Sequence, residues 1–328
     1  MSTLAQTVTT STTSSAGEPP AKRPKLAETI VYHGERKCEF SADCKNHAYW
    51  SARGLYLCGV HSKRYHDRRE LPKRAKKETA KLHARESLEH QKSVDKKTAE
   101  NRASGLRGTV RLYRMRMMHN PDKTPGVLNV FPNNRHQNRT DGFGCSALSP
   151  MRLGPVHHGQ SGLPDACNLE NFHQGSKCFL EETLEGGDDP SPLFYENRAK
   201  FYADPVPHRH KYRGIGPNKN APLYFVWVGG DLKEHRLSYV ESRQFYCTFY
   251  ERLASKQPDY QRLRDLLAQG TELCICGYDA APLEPGETIE MAYLDFWKPF
   301  GHERVLYAML TATYPEQLPW RKYKMFDF

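Results

Sequence analysis

Large apolar side chains are spread unevenly along this chain of 328 residues. The first 28 residues are Ser/Thr-rich and hold hardly any, which predicts a disordered tail over 1–30. From 63 to 104 the apolar positions are sparse (Ala75, Ala80, Leu82, Leu88, Val94) and make no wide stripe. Strong helix formers fill that stretch, with Pro72 suited to a first turn and Gly105 to a stop, so it reads as a helix polar nearly all round. Beyond Gly108 the pattern changes. Val110–Tyr113 and Val127–Phe131 read as strands, followed by the polar loop NNRHQNRTDGFG. Residues 168–180 read as a helix, 223–228 and 235–240 as paired strands around Gly229-Gly230, and 241–254 and 258–269 as consecutive helices. A short strand at 273–277 and a closing helix at 302–313 complete an α-rich α+β domain over 108–328.

Composition sharpens this picture. A chain 38% hydrophobic is too apolar to be disordered throughout, and no run approaches the roughly 20 apolar residues of a membrane helix. The start of the chain has no hydrophobic signal core, which argues against export by a signal peptide. Nine cysteines without regular spacing then read as reduced thiols of an intracellular protein, with Cys274 and Cys276 alternating on one face of a buried strand. The net charge of +10 is concentrated: residues 63–116 carry 18 basic and 7 acidic side chains, whereas the remainder downstream is mildly acidic. That block is a footprint for a phosphate-rich partner, with Arg68, Arg69, Lys73, Arg74, Lys76, Lys77 and Lys81 as candidate nucleic-acid contacts. With no base-reading element in sight, such binding would be largely independent of sequence. In the tail, Lys22-Arg23-Pro24-Lys25 is an extended basic cluster of the kind a nuclear import receptor reads, which points to the nucleus.

Residues 31–66 read as a zinc-binding module. Cys38, Cys44, Cys58 and His61 form a C-x5-C-x13-C-x2-H pattern, four ligands suited to a tetrahedral structural zinc. His33, His47 and His66 are substitutes for the fourth ligand, and Gly54 marks a hairpin turn among Tyr49, Trp50 and Tyr56. The alternative is three ordinary thiols and a surface histidine.

The second chemical candidate lies in the larger domain. No phosphate loop, dinucleotide fingerprint, zinc-protease helix or nucleophile elbow occurs. On a helix over 168–180, however, Glu170, His173, Gln174 and Lys177 follow i, i+3, i+4, i+7 and share a face beside Phe172 and Phe179. Such a face suits a polar pocket in which Glu170 stabilises a developing sugar cation and Lys177 grips a phosphate or carbonyl. Its plain alternative is a surface helix with both charges in water.

Gly144-Cys145-Ser146-Ala147-Leu148-Ser149-Pro150 and Asn168-Leu169-Glu170-Asn171-Phe172-His173-Gln174-Gly175-Ser176-Lys177 together resemble the NADAR superfamily. That superfamily includes N-glycosidases of riboflavin-pathway intermediates and certain ADP-ribosyl hydrolases. Phe249-Tyr250-Glu251-Arg252-Leu253, the 266–273 turn and Phe300–Leu306 are similar to later motifs of the same family. The resemblance implies a divergent relative, of the sort found in large DNA viruses or their hosts, with an N-terminal zinc-binding and basic extension. It implies an N-glycosidic bond hydrolase acting on an ADP-ribose-like or phosphoribosyl substrate, with Glu170 and Lys177 catalytic and Gln174, His173 and Ser146 holding substrate. Asn133, Asn134, Arg135 and Arg139 in the polar loop, and Glu241 and Arg243 at a later helix start, are further candidates for phosphate or ribose. The sequence departs from the family where Ala147-Leu148 replaces Asn-Phe and where Cys276-Gly277 replaces a strand-ending glutamate. A competing expectation is therefore a non-catalytic nucleic-acid-binding protein with an inactive ligand-binding domain.

Overall fold

The computed structural model describes residues 37–71, 76–115, 121–214, 219 and 221–324, with backbone alone for 76–80. The tail with its Lys22-Arg23-Pro24-Lys25 cluster, His33, Lys73 and Arg74 lie outside the described residues, as do the side chains of Lys76 and Lys77. The chain divides into two units, one ending at Lys81 and the other beginning at Leu82.

In the first unit β1 (Trp50–Ala52) and β2 (Leu55–Leu57) form an antiparallel hairpin in the register Trp50↔Leu57. Arg53 and Gly54 both take positive φ (50° and 81°), the turn conformation that matches the twist of paired strands. A two-residue strand, β3 (Arg69–Glu70), adds to the other edge of β1. The core here is tiny: Cys38, Ala52, Leu57 and Cys58, with Phe40, Trp50, Leu55 and Tyr65 half-buried around them.

Helix α1 (Lys76–Ala103) starts in the first unit, but from Leu82 onward it belongs to the second. Val94 is buried in the main core, and the helix is otherwise fastened by polar contacts. The buried Asn101 amide donates to the Gly270 carbonyl (2.8 Å) and to Glu272 (3.1 Å). The His90 ring meets the Val127 carbonyl at 2.9 Å, and Ser93 Oγ accepts the Gly126 N–H. A helix docked through hydrogen bonds leaves no apolar stripe for periodicity to detect.

The second unit is mixed α+β. Its four-stranded parallel sheet has the order β4 (Val110–Arg114), β10 (Glu272–Gly277), β5 (Val127–Phe131), β6 (Phe143–Gly144). All five residues of β5 are buried, as expected of a parallel strand covered on both faces. A smaller antiparallel sheet runs β7 (Lys177–Cys178), β8 (Tyr224–Val228), β9 (Glu234–Leu237). The helices are α2 (Leu169–Gly175), α3 (Pro192–Ala203), α4 (Ser242–Ala254), α5 (Pro258–Ala268), α6 (Ile289–Leu294), α7 (His302–Thr311) and α8 (Pro319–Lys322). Nine of the thirteen α4 residues are buried, so this helix runs through the core. No helix among the described residues is long and apolar enough to cross a membrane.

The expected helix over 168–180 is also corrected. Asn168 caps α2 by accepting the Asn171 N–H (2.8 Å), but the helix ends at Gly175. A Cβ at Gly175 would lie 2.9 Å from Phe201 Cβ and 3.0 Å from the Tyr202 ring, so glycine lets α2 close on α3. Ser176 then turns the chain into β7, where Lys177 pairs with Phe225. Lys177 therefore extends from a strand and not from the helical face of Glu170.

Candidate active site and metal centre

In the first unit the Cys38, Cys44, Cys58 and His61 ligand atoms all lie within 4.8 Å of one another, a group that could hold a metal ion. Three local structures bring them together. Cys38 is fixed by its N–H to the Asn46 carbonyl (2.7 Å), and Cys44 by a turn from Ser41 (3.1 Å). Cys58 leaves β2 and leads into the single 3₁₀ turn His61–Arg64. His61 Nδ1 stands 3.2 Å from Cys38 Sγ and 3.5 Å from Cys58 Sγ, while the His61 N–H donates to Cys58 Sγ at 3.5 Å. Phe40 stacks on the His61 ring at 4.2 Å and covers it.

In the second unit the candidate residues fall in two groups, one on α2 and β7 and one around Glu303, where β10 ends at Gly277 and the chain after β5 brings in Asn133. Glu170, half-buried on α2, accepts the Gln174 amide at 3.0 Å. The other Gln174 atom, Oε1, accepts the His210 N–H at 3.3 Å. Asn171 acts alongside: its amide donates to the Asp204 and Val206 carbonyls and its Oδ1 accepts the His208 N–H. These bonds lay residues 204–210 along α2 and bring Arg209 within electrostatic reach of Lys177.

Lys177 is 5% exposed, and burial lowers its pKa to about 8, with Glu170 pulling upward and Arg209 pushing further down. At pH 7 an amine of that pKa is still about nine-tenths protonated. Its ammonium makes no hydrogen bond or ion pair among the described residues, although the Glu170 carboxylate is near enough to be felt. The adjoining His173, wedged between Phe225 and Tyr246, is held neutral by burial and by Lys177.

A second carboxylate was not foreseen. Glu303, in the first turn of α7, is 1% exposed and carries Asn133 Nδ2 on Oε1 (3.3 Å) and His302 Nδ1 beside Oε2 (3.1 Å). Gly277, ending β10, is obligatory there, since a Cβ would fall 2.1 Å from Glu303 Oε1. Asp279 follows, its carboxyl raised by burial and by Glu303. Burial lowers His136, with Arg139 adding to the effect and Asp141 and Glu303 opposing it. Burial raises the Tyr246 hydroxyl, with Glu170 and, more weakly, Glu303 adding to it. The cue in the sequence was a glycine closing a strand, together with an acid at a helix start, where a negative charge is favoured.

The other residues anticipated from the sequence divide between engaged and open. Ser146 donates through N–H and Oγ to Gln137 Oε1 (2.9 and 2.7 Å). Asn134 accepts from Arg152, and Arg139 is paired with Asp141 over the Phe131 ring. Glu241 accepts the Ser238 N–H at 2.6 Å. Arg243 is buried and donates to the carbonyls of Ala292, Tyr293, Asp295 and Lys298, pinning α6 and the loop after it. These contacts commit both terminal guanidinium nitrogens of Arg243 to backbone carbonyls. Arg135 is exposed. In the first unit Arg68 and Arg69 are exposed, as is Lys81 on α1. All nine cysteines are free, and Cys274 and Cys276 are buried, their sulfurs 4.0 Å apart.

No protein-family model, curated protein or solved structure matches the chain.

Proposed function

We propose that the second unit hydrolyses an N-glycosidic bond in an ADP-ribose-like or phosphoribosyl substrate, as the resemblance to the NADAR superfamily implies. The observation that carries this reading is Lys177: a buried lysine without a hydrogen bond or ion pair among the described residues, within electrostatic reach of Glu170 and Arg209. An ammonium of that kind is suited to hold a phosphate or sugar oxygen. Breaking the C1′–N bond leaves positive charge on the ribose ring, which the Glu170 carboxylate stabilises. Lys177 and Arg209 hold the anionic part of the substrate. Glu303, oriented by Asn133 and His302, takes the proton of the water that adds to C1′, and the departing nitrogen is protonated by Asp279, whose raised carboxyl suits an acid.

The test is incubation with ADP-ribosylated DNA, ADP-ribosylated protein and riboflavin-pathway intermediates, with released products identified by mass. Glu170→Gln should lower turnover at least a hundredfold. Unchanged turnover would remove the assignment.

The metal of the first unit is proposed to be zinc. Tetrahedral bonds of about 2.3 Å to sulfur and about 2.0 Å to nitrogen give ligand edges of roughly 3.5–3.8 Å. The Cys58–His61 sulfur–nitrogen separation of 3.5 Å matches that edge, and the Cys38–His61 separation of 3.2 Å is slightly shorter than it. The second reading, a nucleic-acid-binding protein that enters the nucleus, is favoured by the charge. Residues 37–81 hold twelve basic and five acidic side chains, whereas 82–103 hold five and four. The two readings are compatible, the basic unit delivering the hydrolase to modified nucleic acid.

A further inference from the structure

The part of α1 that belongs to the second unit, residues 82–103, is almost neutral, with five basic and four acidic side chains. A charged helix is thus a poor account of nucleic-acid binding. The first unit offers something more specific. Three of its arginines are laid on aromatic rings: Arg68 over Trp50 at 4.8 Å, Arg64 over Phe40 at 4.7 Å and Arg53 over Tyr65 at 5.7 Å. All three guanidinium-bearing residues are exposed, and none has a hydrogen-bond or ion-pair partner among the described residues. Their rings belong to one cluster around Ala52, Leu57, Cys38 and Cys58, so the three pairs surround a single small core. Phe40 also stacks on His61, which joins this surface to the cysteine–histidine group.

A guanidinium already resting on a ring has lost much of its rotamer freedom, so less entropy remains to be lost when it meets a partner. Its planar group can stack on a base while its N–H edge holds the adjoining phosphate. A duplex offers phosphates but hides its base faces within the stack, whereas a single strand exposes both. We infer that the first unit binds single-stranded nucleic acid through Arg53, Arg64 and Arg68, each presented by the ring beneath it. This deepens the nucleic-acid reading above and rests on it; the hydrolase reading stands apart.

The experiment uses the full chain and measures fluorescence anisotropy with a labelled 20-nucleotide oligo-dT, its U counterpart and a duplex of equal length, across a KCl series. The wild type should bind the single strands at least tenfold more tightly than the duplex. The triple variant R53K/R64K/R68K keeps every charge, so it should keep the salt slope while losing about tenfold in single-strand affinity. Equal affinity of the Lys variant, or a preference for the duplex, would overturn the inference and leave a purely electrostatic contact. Failure of the wild type to bind any of the probes would overturn the nucleic-acid reading as well. Photocrosslinking the wild-type chain to a 5-iododeoxyuridine strand gives a check that needs no variant. Adducts should map within residues 40–69, and adducts confined to 82–103 would refute the assignment.

Discussion

The two units are held together by different physics. The larger one buries Phe131, Phe172, Phe225, Phe245, Tyr250 and Trp320 almost completely, enough apolar surface to order a parallel sheet and a long internal helix. The smaller one has four buried residues in its main cluster, two of them cysteines, and strands of two and three residues. Such short strands and so small a core do not outweigh the backbone entropy of ordering them. The difference points to the Cys38–Cys44–Cys58–His61 group, which could hold a metal ion, as the proposed source of what the core lacks. The largest expected effect follows from it. A structural zinc site contributes on the order of 10 kcal/mol to folding. Chelation, or Cys58→Ser, should therefore unfold residues 37–71 while leaving the second unit folded. Limited proteolysis with mass mapping would check this: cuts throughout the second unit under the same treatment would break the comparison.

The second unit should respond to ordinary core damage instead. Phe172 is fully buried and meets Tyr202, Trp227, Phe245 and Phe249 edge-on or tilted, with His158 stacked on it. Phe172→Ala should cost about 3–5 kcal/mol, read as a fall in the chemical-denaturation midpoint. Bound metal should stay at the wild-type level, since the substitution lies in the other unit.

Burial and charge conflict at Lys177. A pKa of about 8 in the folded state, against 10.5 for an ordinary lysine, corresponds to ~3 kcal/mol of destabilisation while the amine is charged. Below pH 8 both states hold the proton and the penalty is constant. Between pH 8 and 10.5 the unfolded chain binds more protons, so this group makes stability rise with pH. Lys177→Met should be the more stable protein at pH 7, by up to that amount, and should lack the rise. Chemical denaturation at pH 7, 8, 9 and 10 reads both. A variant less stable than wild type at pH 7 would mean that the ammonium is paired.

How much of this was legible depended on the kind of signal. Strands such as Val127–Phe131 announce themselves as uninterrupted apolar runs, and the hairpin turn at Arg53-Gly54 through its glycine. The grouping of Cys38, Cys44, Cys58 and His61 was legible because all four fall within 24 residues of sequence. Lys177 and Glu170 were picked out for a shared helical face that does not exist, since Gly175 ends the helix against Tyr202, a contact no local pattern reveals. Glu303 was invisible for the same reason: Gly277 and Asn133, which define its place, are 26 and 170 positions away. Four parallel strands gathered from residues 110 to 277 make an edge that only tertiary structure creates.

The smallest effect tests where one unit stops and the other starts. Helix α1 is continuous from Lys76 to Ala103, yet only its later part is tied into the larger unit, with Asn101 as its most buried polar anchor. Asn101→Ala removes the donors to the Gly270 carbonyl and to Glu272 together, leaving that buried carbonyl without this partner. The expected loss is about 1–3 kcal/mol in the second unit, with metal content unchanged. Hydrogen exchange would localise it: amides of 90–103 and of the start of β10 should exchange faster together. If the helix amides quicken and β10 does not, α1 is a neighbour of the sheet and not part of its unit, and the boundary at Leu82 moves toward Gly105.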